Sequence, residues 1–213
     1  MRCDRRHLLL YAVTDRAWTG GQSLHGQVEA ALRGGVTCVQ LREKGLGGAD
    51  FLREARELCA LCRRYGVPFV VNDNVEAAVA CGADGIHVGQ GDMPVEEVRR
   101  RVGEQMIIGV SVHTVEQARL AVRGGADYLG LGAVFPTGTK PDADAMAPET
   151  LRSICRAVEA PAVAIGGIHQ ENLLELAGSG VDGVALVSAI FSAPDIERAA
   201  RELRALAEKV VGL

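Results

Sequence analysis

Lysine is the scarce cation in this chain of 213 residues: Lys44, Lys140 and Lys209 stand against twenty arginines. Where arginine supplies the cationic surface, a lysine beside a polar cluster points to a need for a compact charge, suited to phosphate oxygens. Lys44 closes the run Gln40-Leu41-Arg42-Glu43-Lys44, and Lys140 closes Phe135-Pro136-Thr137-Gly138-Thr139-Lys140. Arg42 adds a planar fork that grips phosphate bidentately. A Schiff-base lysine needs a desolvated setting, and both of these have charged or polar neighbours. Asp73, after Asn72, and Asp92, in Gly89-Gln90-Gly91-Asp92, are candidate metal ligands. Two carboxylates without clustered His or Cys suit Mg2+, which completes its shell with substrate phosphate and water. Asp92 taken alone leaves a second role open, as the cap of a helix starting near Pro94. Gly166-Gly167 and Val187-Ser188-Ala189 offer backbone N–H groups to a phosphate, and Ser111-Val112-His113-Thr114 adds further polar groups. His87 reads as lining or flanking the core, and His113 as lying near a helix start. His7, His25 and His169 read as surface or turn residues, and no histidine has a nucleophile partner in view.

These groups have to be brought to one place, and the elements that do so announce themselves by repetition. A helix ending in Gly and followed by a short apolar strand recurs at Gly34-Gly35-Val36-Thr37, Cys81-Gly82-Ala83-Asp84, Gly124-Gly125-Ala126-Asp127 and Ser179-Gly180-Val181-Asp182. Filling the gaps predicts strands near residues 8–13, 36–41, 68–72, 84–88, 107–110, 127–131, 161–165 and 182–187, with helices between them. Apolar residues at helical spacing mark Ser23 to Arg33, Asp50 to Tyr65, Thr114 to Arg123 and Ile196 to Val210. Near-continuous apolar strands suit a parallel sheet covered by helices. The fold class is therefore α/β, a single (β/α)8 TIM barrel over residues 1–213. A doubly wound sheet would want Gly-x-Gly-x-x-Gly after the first strand, where Thr14-Asp15-Arg16-Ala17 stands instead. In a barrel the chemistry gathers at the C-terminal ends of the strands, which is where every cluster above falls.

Composition narrows the function classes. Aromatics are only 4%, net charge is -4, and the basic runs Arg5-Arg6 and Arg99 to Arg101 read as solvated helix ends. That combination speaks against nucleic-acid binding, and no apolar run reaches the roughly 18 residues of a membrane span. Leu8 to Val13 reads as a buried strand rather than a leader, so a cytoplasmic location is expected. Cys59-x-x-Cys62 has no second pair to complete a zinc site, so the six cysteines are expected to be reduced packing residues. Small phosphorylated molecules are the expected partners, and homo-oligomerisation stays open.

Taken in order, the clusters resemble the thiamine phosphate synthase (thiamine-phosphate pyrophosphorylase) family from about Tyr11 to Ile190. The matching phrases are Tyr11-Ala12-Val13-Thr14-Asp15, Gln40 to Lys44, Asn72-Asp73, Gly89 to Asp92, Gly109-Val110-Ser111, Val134 to Lys140 and Ile165-Gly166-Gly167-Ile168. The resemblance implies a Mg2+-dependent transferase that joins an aminopyrimidine methyl diphosphate to a thiazole phosphate, or its carboxylate, with loss of pyrophosphate. It implies that Gln40, Leu41, Arg42, Glu43 and Lys44, with Asn72, Ser111 and Lys140, hold the pyrimidine diphosphate. Lys140, Arg42 and Ser111 would be the catalytic contacts, and Asp73 and Asp92 would bind Mg2+. Thr137, Gly138, Thr139, Gly167, Val187 and Ser188 would hold the thiazole phosphate. The family's reaction is dissociative, so no general base is required. The stretch Pro141-Asp142-Ala143-Asp144-Ala145-Met146 departs from the family's Gly-rich loop. Two alternatives share the fold: a thiazole tautomerase, which carries a His where Ala133 stands here, and a non-catalytic phospholigand-binding barrel, in which the aspartate pair would have decayed.

Overall fold

The computed structural model describes residues 3–137 and 145–213. Its strands are β1 (Leu10–Val13), β2 (Cys38–Leu41), β3 (Phe69–Asn72), β4 (Gly85–Val88), β5 (Ile107–Val112), β6 (Tyr128–Gly132), β7 (Ala162–Ile165) and β8 (Gly183–Leu186). They pair in parallel, in chain order, and close through β1 and β8. The helices are α1 (Leu24–Arg33), α2 (Gly48–Tyr65), α3 (Val75–Cys81), α4 (Val95–Val102), α5 (Val115–Arg123), α6 (Pro148–Ala157), α7 (Ser188–Phe191) and α8 (Ile196–Val211). The fold is the expected (β/α)8 barrel. Among the described residues, no helix is long and apolar enough to cross a membrane.

The repeated phrase has a physical purpose at the bottom of the barrel. Each even-numbered strand begins one residue after Thr37, Asp84, Asp127 or Asp182, and those four side chains reach across to the preceding strand. Thr37 Oγ1 accepts from Leu10 N at 2.9 Å, and Asp84 Oδ2 from Phe69 N at 2.9 Å. Asp127 Oδ2 accepts from Ile108 N at 2.9 Å, and Asp182 Oδ2 from Ala162 N at 2.8 Å. The backbone N–H of the same four residues returns a bond to the carbonyl of the residue it holds, at 2.7–2.9 Å. Each clamp therefore satisfies donors and acceptors that a strand end would otherwise leave open. It also explains why β4, β6 and β8 start one residue after the predicted 84, 127 and 182: the leading residue serves as a clamp. Gly35, Gly82, Gly125 and Gly180 take positive φ (97°, 68°, 100° and 92°) just before the clamps, the left-handed exit expected of them.

Two expectations need correcting. Between β7 and β8 there is no α-helix, only a 3-10 turn at Leu173–Leu176. The Gly166-Gly167 turn and the His169 N–H to Asn172 Oδ1 bond (2.9 Å) use up the start of that segment, and Gly178 and Gly180 break its end. Leu173 and Leu176 are nevertheless buried and plug the gap. Arg99 is also no solvated helix end. Its guanidinium is largely buried and bonds Asp127 Oδ2 at 2.5 Å and the carbonyls of Gly103, Met106 and Gly125 at 2.8 Å.

The cysteines are all free, and the described residues hold no cluster of three or more metal-ligating side chains. Cys59 and Cys62 pack in the buried face of α2. Burial pushes the Cys62 thiol up to about 12, so it carries no thiolate character at neutral pH.

The bottom clamps are not equal in consequence. Asp127→Ala removes an acceptor and strands the buried Arg99 charge, so a loss of about 3–5 kcal/mol is expected. Asp84→Ala removes one acceptor from a solvent-accessible clamp and should cost about 1 kcal/mol. Urea unfolding of the two variants checks the difference; equal losses would show that the ion pair adds nothing.

Candidate active site

At the other end of the barrel the strands open into a cavity. Gln40 and Arg42 reach it from the end of β2, Asn72 from β3, His87 from β4 and Ser111 from β5. Thr137 lines it from the loop after β6, Gly166 and Gly167 from the end of β7, and Val187 and Ser188 from the end of β8. The alternation of a strand explains the selection: residues at every second position face the barrel axis. Leu41, by the same alternation, faces the helix layer and is wholly buried there, so its side chain takes no part in the cavity.

Arg42 is held at both ends. Its N–H donates to Thr14 Oγ1 at 3.0 Å, and one guanidinium nitrogen lies 3.3 Å from Asp15 Oδ2. One side of the fork is thereby anchored and the rest is left for an anion. Glu43 turns away from the cavity, accepting from Arg16 and from Gly45 N (2.8 Å), so it shapes the loop after β2 rather than lining the mouth. Lys44 is exposed on the rim and does not line the cavity. Gly138, Thr139 and Lys140 lie outside the described residues.

The two aspartates come together. Asp73 follows β3 and Asp92 follows β4, close enough for Asp92 to raise the pKa of the Asp73 carboxyl group. Partial desolvation, then the Asp92 carboxyl group and its charge, push Asp73 up to about 6, against weaker opposing pulls from Asn72 and Lys44. Asp73 also sits at φ 61°, the left-handed region that Asp and Asn tolerate better than most residues. Asp92 does not cap α4: that helix has no side-chain cap bond, and Asp92 Oδ2 instead accepts from Gly89 N at 2.7 Å. Two neighbouring carboxyl groups, with the pKa of Asp73 raised by its surroundings, are a donor set that a divalent cation fits, because its charge would offset the crowding.

The turn after β7 is built for close approach. Gly166 and Gly167 have φ 99° and 67°, and a Cβ on Gly167 would crowd Phe135 O at 2.7 Å. Side chains are thus excluded between this turn and the loop after β6, leaving backbone groups at the cavity wall.

The cavity is also lined by residues given no site role in the sequence analysis, among them Tyr11, His87, His113 and Ala133. His113 bonds Gly132 O through Nδ1 at 2.6 Å. Tyr11 and His87 belong to a buried hydrogen-bonded set with Tyr128. Their signal in the sequence was a polar side chain at an inward position of an otherwise apolar strand.

A closed (β/α)8 barrel with a cationic and hydroxyl-lined mouth at its strand C-termini, flanked by a carboxylate pair, defines an enzyme of the phosphate-handling barrel class. The comparisons give the family. The model described as thiamine monophosphate synthase matches residues 10–190. A thiamine-phosphate synthase from Chloroflexus aurantiacus is 50% identical over 198 residues, 92% of this chain and 91% of the relative. One from Clostridium tetani is 45% identical over 194 residues, 91% of this chain and 93% of the relative. The solved thiamine phosphate pyrophosphorylase from Pyrococcus furiosus superposes with TM-score 0.90 at 41% identity, covering 98% of this chain and 99% of that one. This chain belongs to the thiamine monophosphate synthase family and is an enzyme of the transferase type.

The aspartate pair generates a pH prediction. Because the folded Asp73 titrates above its ordinary 3.8, its contribution to stability is full below that value and is lost as pH rises through about 6. In chelator, Asp92→Asn should therefore melt above the wild type at about pH 7.5, with the gain shrinking toward about pH 5. A pH-independent difference in melting temperature would rule out like-charge repulsion as the cause.

Proposed function

We propose that this chain joins an aminopyrimidine methyl diphosphate to a thiazole phosphate, or to its carboxylate with loss of CO2, to give thiamine phosphate and pyrophosphate. The observation that carries the reading is a two-ended mouth. Gln40, Arg42, Asn72 and Ser111 gather on one side of a single cavity, and Thr137, Gly167, Val187 and Ser188 on the other. One side suits a polar ring with a charged leaving group, and the other suits a phosphate held by hydroxyl and backbone N–H groups. Acting on phosphorylated metabolites, the enzyme would work in the cytoplasm.

In the reaction, the bond between the pyrimidine methylene carbon and the diphosphate oxygen breaks, and its electron pair leaves with the diphosphate. The aminopyrimidine spreads the resulting positive charge, and the thiazole nitrogen lone pair forms the new C–N bond. No proton is moved in this step, in keeping with a mouth that offers orienting hydrogen bonds. Arg42, anchored on Asp15, would face the departing diphosphate, with Lys44 at the rim and Lys140 as a further cation. Asp73 and Asp92 would hold Mg2+, which when bound neutralises charge on the diphosphate. The remaining groups orient the two rings so that the lone pair meets the methylene carbon, the kind of contribution that positioning makes to a two-substrate reaction.

A thiazole tautomerase of the same fold is the nearest alternative. The tautomerase histidine is replaced here by Ala133, which presents only a methyl group to the cavity. The test mixes both substrates with Mg2+ and follows thiamine phosphate and pyrophosphate in a single turnover. Both should form in equal amounts. Arg42→Ala and Lys140→Ala should each cut the rate about 100- to 1000-fold, the usual cost of one transition-state contact, with little change in thiazole phosphate binding. Asp73→Asn should lose Mg2+-dependent turnover while staying folded. Isomerisation of thiazole phosphate without coupling to the pyrimidine would overturn the reading, as would wild-type turnover by both Asp73→Asn and Asp92→Asn at limiting Mg2+.

A further inference from the structure

Below the mouth, a continuous hydrogen-bonded chain crosses the inside of the barrel. Gln40 Nε2 donates to the Tyr11 hydroxyl at 2.9 Å, and the Tyr11 and Tyr128 hydroxyls lie 2.8 Å apart. The Tyr128 hydroxyl lies 2.9 Å from His87 Nδ1, and His87 Nε2 lies 2.9 Å from Ser111 Oγ. Both ends of the chain, Gln40 and Ser111, line the cavity. Neither tyrosine is an incidental filler. A Cβ on Gly109 would overlap the Tyr128 ring, and one on Gly130 would press on His87 Cε1 at 3.1 Å. Two inward strand positions are thus emptied to house this set. The rings pack in tilted pairs, 6.0 Å (Tyr11 to Tyr128) and 5.5 Å (His87 to Tyr128) between centroids.

Hydrogen bonds in such a chain have a direction. A hydroxyl that accepts from one side donates to the other, and a neutral imidazole donates from one nitrogen only. Gln40 Nε2 is a donor, so the Tyr11 proton goes to Tyr128 and the Tyr128 proton to His87 Nδ1. His87 then carries its proton on Nε2 and donates to Ser111 Oγ, whose own proton is left for the cavity. Gln40 Oε1 accepts from no described residue. Burial holds the Tyr11 and Tyr128 phenols well above their usual range, so both stay protonated and the chain orients protons without shuttling them.

We propose that Tyr11, Tyr128 and His87 are positioning residues that lock Gln40 as an acceptor and Ser111 as a donor toward the pyrimidine. They would thereby select a ring bearing an amino group over its oxo counterpart. The inference rests on the aminopyrimidine reading of the mouth and adds how the ring is told from its analogue. An aminopyrimidine offers an amino N–H to Gln40 Oε1 and a ring-nitrogen lone pair to the Ser111 hydroxyl. The oxo ring offers a carbonyl oxygen and a ring N–H, the opposite polarity. Binding it would require the Gln40 amide to turn over, both tyrosine protons to reverse and His87 to exchange tautomers. A site whose buried polar groups would be mispaired rejects an analogue strongly.

Three measurements test this on the whole chain. In 15N spectra of the wild type, His87 should be the Nε2–H tautomer; the Nδ1–H tautomer would overturn the relay. With amino and oxo pyrimidine diphosphates as alternative substrates, the wild type should favour the amino form by at least about 100-fold in kcat/KM. Tyr128→Phe keeps the ring in its housing and cuts the chain. It should lower kcat/KM for the amino substrate roughly 10- to 100-fold, the cost of a broken buried hydrogen bond, and leave the oxo substrate nearly unchanged. Tyr11→Phe should narrow the same ratio, which guards against a folding defect in one variant. Thiazole phosphate KM should move by less than about twofold in either. Equal losses on both pyrimidines, or an unchanged ratio, would reduce the tyrosines to packing and overturn the proposal. Failure of the wild type to couple either pyrimidine would instead overturn the reading of the mouth, and the His87 tautomer would still judge the relay.

Discussion

Closing eight short parallel strands into a ring leaves backbone donors and acceptors at both rims, and an unpaired buried group there costs about 1–3 kcal/mol. At the bottom rim this chain answers with Thr37, Asp84, Asp127 and Asp182, each binding a backbone N–H at the start of the strand before it. The same device used four times fixes the register between β1 and β2, β3 and β4, β5 and β6, and β7 and β8. Arg99 reinforces the third clamp and Arg5 the fourth, through Asp127 and Asp182. At the top rim Thr14 Oγ1 accepts from Arg42 N, and the loops there form the site. The mouth depends on this register, since a slip of one residue would send the inward set into the helix layer.

Inside the ring, size is traded between strands. Gly109 and Gly130 give up their side chains so that Tyr128 and His87 can occupy the axis. The core between strands and helices is aliphatic, whereas the core inside the ring is partly polar and hydrogen-bonded end to end. Such a network is costly when broken and specific when complete. It separates the stabilising bottom of the barrel from the reactive top while giving the top a fixed proton arrangement.

At the mouth the balance is electrostatic. Asp73 and Asp92 are brought close enough for Asp92 to raise the pKa of the Asp73 carboxyl group, and Asp73 holds an unusual backbone conformation there. Unfavourable local arrangements gathered at one rim, over a bottom clamped by Thr37, Asp84, Asp127 and Asp182, are what a preorganised site looks like.

The eight-fold alternation, the glycine exits and the polar clusters after each strand were legible in the sequence, because repeats, helical periodicity and glycine at helix ends are local properties. So was the family, through phrases such as Gln40 to Lys44 and Gly89 to Asp92. The sequence could not separate inward from outward residues within one phrase: Leu41 and Glu43 stand between Gln40, Arg42 and Lys44, yet only Gln40 and Arg42 reach the cavity. Nor could it show that Arg99 is buried, that the segment after Gly167 forms a 3-10 turn in place of an α-helix, or that Asp92 lies beside Asp73 instead of capping α4. The link from Gln40 through Tyr11, Tyr128 and His87 to Ser111 joins five strands, with one step between residues 117 positions apart in the chain. Propensity and spacing describe neighbours along the chain, whereas pairing and alternation in a closed sheet decide which distant side chains share its axis.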